Sequence, residues 1–303
     1  MKHLFVINPV AGGKDRTEEL STLINKVMPL KAPGEDYEIY VTKGPMDAVS
    51  FVKEKSASGE KLRIYACGGD GTLNECVNGA AGFQNVALTH YPVGTGNDFI
   101  KIFGKGAEKF KNLGRLVEGE ERAVDLINCN GRYSLNICSV GIDARIGTDV
   151  HKYSSVPLLG GRGGYIISTV VNIIKGINQH FTIKVDGEVA EGQFALVCAC
   201  NGRYYGGYFN PVPEAQPDDG LIDFLIIKKV SRLQFLKIVG KYQSGHYKEM
   251  PEIIRHISAK SLVLEAEEKM TINLDGEIAE GSKAEFTLEQ GKLRFFFPKE
   301  IAW

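Results

Sequence analysis

No stretch of this sequence holds the ~20 consecutive apolar residues that a bilayer-spanning helix needs, so any membrane contact is expected to be peripheral. The first apolar run breaks at Asn8-Pro9, which leaves no leader-like hydrophobic segment, and a cytoplasmic protein is expected. Excess charge of one sign is missing too. The net charge is -1 over 303 residues with no long basic run, which removes electrostatic support for nucleic-acid binding. The six cysteines (Cys67, Cys76, Cys129, Cys138, Cys198 and Cys200) form no Cys-x-x-Cys pair. Several lie inside apolar strand-like runs, so they read as reduced core thiols and not as a disulfide or zinc set. What is left, 43% hydrophobic and 24% charged residues, describes an ordinary globular chain long enough for two domains.

Glycine, by contrast, is placed with a purpose. Leu62 to Cys67 reads as a buried strand, and Leu73, Cys76, Val77 and Ala80 recur at helical spacing. Between them lie Gly68, Gly69, Asp70, Gly71 and Thr72, followed by Asn74 and Glu75. Glycines on a strand-to-helix turn let the backbone approach a ligand closely. The free N–H groups and dipole of the following helix favour an anion there, and phosphate is the natural occupant. Asp70 alone would repel phosphate. It makes sense with a Mg²⁺ between the two, since Mg²⁺ binds one or two carboxylates together with substrate phosphates.

The first 124 residues alternate strand and helix. Leu4–Ile7, Tyr37–Val41, Leu62–Cys67 and Val86–His90 read as strands, and helices run through Leu20–Val27 and Asp47–Lys55. That alternation predicts a parallel sheet covered on both faces. Ligands of such sheets bind beyond the carboxyl ends of the strands, and the polar or Gly-rich loops 8–14, 68–72 and 92–98 all fall there. From about Val124 the pattern becomes short β-prone runs: 123–127, 133–137, 181–185, 194–198, 221–225 and 262–264. This predicts a mainly antiparallel second domain over 125–292, interrupted by helices at Tyr165–Ile177 and Leu233–Tyr242. A last strand, Leu293–Phe297, opens a C-terminal segment 293–303 whose return to the first domain is left open. Two Asp-Gly hairpin signals echo each other, Asp186-Gly187-Glu188 and Asp275-Gly276-Glu277.

The string Gly68-Gly69-Asp70-Gly71-Thr72 resembles the signature of the diacylglycerol kinase catalytic-domain superfamily of lipid kinases, and NAD kinases share it. Pro92-Val93-Gly94-Thr95-Gly96-Asn97-Asp98 resembles the lipid-kinase second loop and not its NAD-kinase counterpart. Asn8-Pro9-Val10-Ala11-Gly12 resembles the family's first loop, with Ala11 where a serine is common. The resemblance implies an α/β nucleotide-binding domain, a β-sandwich lipid domain and a cleft between them. It implies ATP and Mg²⁺ as cofactors, with Asn8, Pro9, Gly12, Thr42, Gly68, Gly69, Asp70, Gly71, Thr72, Asn74, Glu75, Thr95, Asn97, Asp98 and Asp125 around the nucleotide. It implies catalytic roles for Asp70 and for Glu277 as general base, and a structural Mg²⁺ on the Gln216 and Leu221 carbonyls and the Asp219 carboxylate. The expected activity is phosphorylation of a lipid hydroxyl at a membrane surface, foremost diacylglycerol to phosphatidic acid. NAD kinase and a nucleotide-gated lipid-binding module without turnover stay open as alternatives, as does a homodimer. Membrane contact is expected at the loop His151–Tyr165, where Val156, Leu158 and Leu159 lie beside Lys152 and Arg162.

Overall fold

The computed structural model describes residues 1–146, 171–173, 175–206 and 209–303. The loop His151–Tyr165 and most of the helix expected over Tyr165–Ile177 lie outside the described residues.

The first part follows the alternation closely. The elements are β1 (Lys2–Ile7), α1 (Thr17–Lys31), β2 (Asp36–Val41), α2 (Asp47–Ser56), β3 (Leu62–Gly68), α3 (Asp70–Ala80), β4 (Val86–Pro92) and α4 (Leu113–Val117). β1 pairs in parallel with β2 and β3, and β3 with β4. Near-continuous apolar strands such as Leu4-Phe5-Val6-Ile7 are buried because helices cover the sheet.

The second part is antiparallel and sandwich-like. It comprises β5 (Glu120–Cys129), β6 (Arg132–Ser134), β7 (Ile137–Gly141), β8 (Gln179–Val185), β9 (Glu188–Cys200), β10 (Ile222–Lys228), α5 (Arg232–Gln243), β11 (Ile254–Ala259), β12 (Ser261–Leu274) and β13 (Glu277–Phe297). The run 133–137 is not one strand. It divides into β6 and β7 around Leu135 and Asn136, whose N–H groups turn to the Asp275 carboxylate instead of a neighbouring strand. β11 has no counterpart in the sequence reading, because Ile254, Ile257 and Ala259 do not alternate with period two.

β13 joins the two halves. Its first part pairs with β12, and its end lies parallel to β4 through Arg294 and Phe295. Gly291, at φ +58, sits where the register with β5 shifts, so the strand bends from one packing layer to the other. Phe295, Phe296 and Phe297 then enter the aromatic core of the first domain against Phe99, Tyr65 and Phe103.

Candidate active site

The parallel register of β1, β3 and β4 sets three loops side by side at their carboxyl ends. The Asn8 amide donates to Thr72 Oγ1 at 2.9 Å and its oxygen accepts the Val10 N–H at 3.1 Å, which ties the first loop to the second. The Gly68 carbonyl accepts from the N–H groups of Val93 and Gly94 at 2.8 and 3.1 Å, which ties the second to the third. Glycine is required at these seams. A Cβ on Gly94 would lie 2.5 Å from Gly69 Cα, and one on Gly12, where φ is +69, would lie 2.5 Å from the Val93 oxygen. Gly68 has no room for a side chain against Thr72. The first turn of α3 opens onto this seam, with N–H groups that have no intrahelical acceptor and the positive end of the helix dipole.

Asp70, the first residue of α3, turns its carboxylate to the third loop. Oδ2 accepts the Asn97 N–H at 2.7 Å and Oδ1 accepts the Asp98 N–H at 2.6 Å. Burial, then the Asp98 charge, push the Asp70 carboxyl above the usual carboxylate range, against the pull of those two donors. Asp98 itself pairs with Lys101. Asn97 holds φ +52 with its amide on the Gly94 carbonyl at 2.7 Å, and Thr95 lies exposed at the loop tip. Thr42 begins the loop after β2 and donates its N–H to the Ile7 carbonyl at 2.9 Å, next to Asn8.

One residue here escaped the sequence reading. His90, fully buried on β4, contacts the Gly68 carbonyl through Nε2 at 3.0 Å, and burial holds its imidazole below the usual value. A lone histidine in an apolar strand carries no local signal of such a contact.

The second domain reaches this cradle through the β12–β13 hairpin. The Asp275 carboxylate accepts N–H groups of Leu135, Asn136 and Ile137 at 2.7, 3.1 and 2.8 Å, and the Asn74 amide of α3 at 3.3 Å. Asn78 and Tyr133 add a reciprocal pair of contacts at 2.9 Å. The hairpin tip is thereby fixed to α3, and Glu277 Oε1 comes to 3.3 Å from the point where a Gly71 Cβ would stand. The echo residue Glu188 is exposed and pairs with Arg255 at 2.6 Å, which links the start of β9 to β11.

Three residues assigned to the nucleotide by resemblance also hold the fold together. Glu75 accepts the N–H groups of Met46 and Ala48 at 3.0 and 3.1 Å, so it caps α2 from outside that helix. Asn74 is held between Asp275 and the Tyr133 carbonyl. Asp125 lies at the domain junction, where its oxygens accept Gly220 and Gly291 N–H groups at 2.8 and 2.7 Å. It thereby clamps the bend of β13 to the 216–221 loop. In that loop Asp219 accepts the Leu221 N–H at 3.0 Å. Burial, then the charges of Asp223, Asp125 and Asp218, raise its carboxyl above the usual range.

A cavity of about 310 Å³ opens in the second domain between β9, β10 and α5, lined by Ile142, Ile146, Leu196, Phe235 and Val239. Asp143 stands in its wall. The Tyr205 hydroxyl donates to it at 3.2 Å and meets the Tyr242 hydroxyl at 3.1 Å, and burial pushes the Asp143 carboxyl up to about 6. β7 connects this cavity to the Asp275 hairpin. It runs from Ile137, beside the hairpin tip, to Gly141, a span of roughly 13 Å.

The glycine seam makes a direct prediction. Gly94→Ala forces backbone apart at Gly69, so a loss of about 1–3 kcal/mol in unfolding free energy is expected. A fall of about 10²-fold in turnover is expected with it, because the second and third loops no longer meet. Thermal denaturation and steady-state kinetics check it, and wild-type values in both would refute the close approach.

Residues 2–129 match the family model described as the diacylglycerol kinase catalytic domain. Residues 136–297 match the one described as the YegS C-terminal NAD kinase beta sandwich-like domain. The diacylglycerol kinase of Bacillus subtilis is 28% identical over 299 residues, covering 98% of this chain and 96% of its own. That of Staphylococcus carnosus is 26% identical, with 98% and 95% covered. A crystal structure of a diacylglycerol kinase from Bacillus anthracis superposes with a TM-score of 0.71 at 26% identity, covering 99% of this chain and 98% of that one. The three-loop cradle is thus part of a likeness that spans both halves of the molecule, and the chain belongs to the diacylglycerol kinase catalytic-domain family of lipid kinases.

Proposed function

We propose that this protein transfers the γ-phosphoryl group of ATP to the free hydroxyl of diacylglycerol, giving phosphatidic acid and ADP. The observation that carries the reading is the approach of Glu277 to Gly71, which brings a carboxylate from the second domain against the phosphate-cradling turn of the first. Phosphoryl transfer asks a protein for positioning and charge stabilisation more than for covalent chemistry. N–H groups of 68–72 and 94–96 hold the phosphates, with Asn8, Pro9 and Gly12 forming the near wall and Thr42 beside the nucleoside. The acceptor oxygen attacks the γ-phosphorus, its proton passes to Glu277, and the bond to the β-phosphate oxygen breaks. The apolar cavity takes an acyl chain, and the names of the full-length relatives favour diacylglycerol as its owner.

The acidic groups fit Mg²⁺. Asp70 and Asp98 raise the cost of charge in the cradle, and Asp219 has no cationic side chain paired to it among the described residues. Mg²⁺ bound at the phosphates supplies charge neutralisation during transfer. Asp219, with the Gln216 and Leu221 carbonyls, would hold a second ion that fixes the loop clamped by Asp125. Asp219→Ala is expected to lower the Mg²⁺ retained per chain and to reduce activity severalfold through that loop. Elemental analysis finding equal Mg²⁺ in variant and parent would exclude the second ion.

The reading is tested by incubating the protein with labelled ATP and, separately, diacylglycerol, other hydroxyl lipids and NAD, then separating products by thin-layer chromatography. A labelled phosphatidic acid spot supports it. Label on another lipid corrects the acceptor, label on NAD favours an NAD kinase, and no transfer favours a binding module.

A further inference from the structure

Helix α5 presents an unusual combination of side chains to solvent. Its start is fixed by a capping box between Ser231 and Gln234. At 100° per residue, the buried Ile238 and Tyr242 mark the inward side, and Leu233 falls opposite them, flanked by Leu236 and Lys237. Leu233 is 72% exposed and Leu236 58%. Leu236, with Phe235 and Val239, also borders the apolar cavity, so the exposed apolar face continues into the cavity wall.

The surrounding charge is one-sided. Residues 228–248 contain Lys228, Lys229, Arg232, Lys237, Lys241 and Lys248 and no aspartate or glutamate. Lys241 pairs with Glu249 and Lys248 with Glu214, while the Arg232 guanidinium donates to the Ile173 carbonyl. Lys229 and Lys237 have no acidic partner among the described residues; Lys237 stands beside Leu233 on the helix, and Lys229 lies two residues before the N-cap Ser231. A basic face of this kind repels its own twofold mate, which disfavours a second copy as its cover. Exposed leucines with lysines on the same helix and at its start suit an interface with anionic headgroups above and acyl chains below.

We propose that α5 is the docking face for an anionic lipid bilayer. Leu233 and Leu236 enter the interfacial region, Lys229 and Lys237 meet the headgroups, and the cavity opens towards the membrane. The proposal rests on the reading of this protein as a kinase of a membrane lipid, and it adds which surface meets the membrane.

The test uses the full chain and sedimentation with vesicles of phosphatidylcholine alone or mixed with phosphatidylglycerol. Parent protein is expected to bind the mixed vesicles and to lose binding as salt rises. Leu233→Glu and the double change Lys229→Glu/Lys237→Glu are each expected to weaken that binding roughly tenfold or more. Phosphorylation of a short-chain diacylglycerol in detergent micelles should stay near the parent rate. Parent-like vesicle binding by both variants would overturn the proposal, as would equal binding of parent to neutral and mixed vesicles. A dimer that Leu233→Glu converts to monomer on size exclusion would also overturn it, by assigning the face to a second copy. Expected vesicle binding with no lipid phosphorylated would leave the docking face standing and remove the kinase reading instead.

Discussion

Glu277→Gln is expected to lower kcat by about 10²–10⁴-fold, the usual cost of removing a general base, while ATP binding stays near that of the parent. The change keeps the side chain's shape and removes its ability to take a proton. Two Asp-Gly-Glu hairpins compete for the role, and their turns are alike. Asp186 and Gly187 have φ of +48 and +79, and Asp275 and Gly276 have +52 and +98. Their surroundings differ. Asp186 is exposed, whereas Asp275 collects three consecutive backbone N–H groups and the Asn74 amide. Those contacts fix Glu277 near Gly71, and Glu188 faces Arg255 far along another hairpin. Glu188→Gln should therefore keep most activity. Single-turnover kinetics with nucleotide titration separate the two effects: a loss confined to nucleotide affinity in Glu277→Gln would mean positioning, and a large loss in Glu188→Gln would mean the wrong hairpin.

The parts of this molecule that the sequence announces are those governed by local physics. Strand and helix alternate visibly in the first domain because apolar runs and amphipathic spacing are local signals. The three loops announce themselves because close backbone approach demands glycine, as the Gly94 and Gly12 contacts make concrete. What stays hidden depends on partners distant in the chain. Nothing near Glu75 indicates that it caps a helix beginning at Asp47, since ordinary capping residues precede their own helix. Nothing near Asp125 foretells its grip on Gly220 and Gly291, and His90 gives no hint of its carbonyl partner. Of β13 only the end, Leu293–Phe297, reads as a strand in the sequence, although the strand runs from Glu277 through Gly291. Gly291 marks a bend at which the strand leaves its sandwich partner and runs along β4.

Asp70→Asn is expected to reduce turnover by at least about 10²-fold, an effect on the scale of misplacing a binding loop, although the substituted atom is a single oxygen. Both Asp70 oxygens accept backbone N–H groups, from Asn97 and Asp98. An asparagine can accept only one of them, and its NH₂ group meets the other donor head-on, so the third loop must move. The third loop is packed closely here, since Gly96 has no room for a side chain against the Asp70 oxygen. The same geometry sets a pH dependence. Protonation turns one accepting oxygen into a hydroxyl and releases a backbone N–H, so activity falls as pH falls through the Asp70 titration. Burial and the Asp98 charge raise that carboxyl, which places the acid limb above the ~3.9 of a free aspartate. Loop positioning and metal binding predict different rescues. If Asp70 acts mainly on Mg²⁺, higher Mg²⁺ or Mn²⁺ should restore much of the Asp70→Asn activity. If it acts by holding the third loop, kcat should stay low at any metal concentration. The KM for ATP should then rise, because the 94–96 N–H groups no longer face the phosphates.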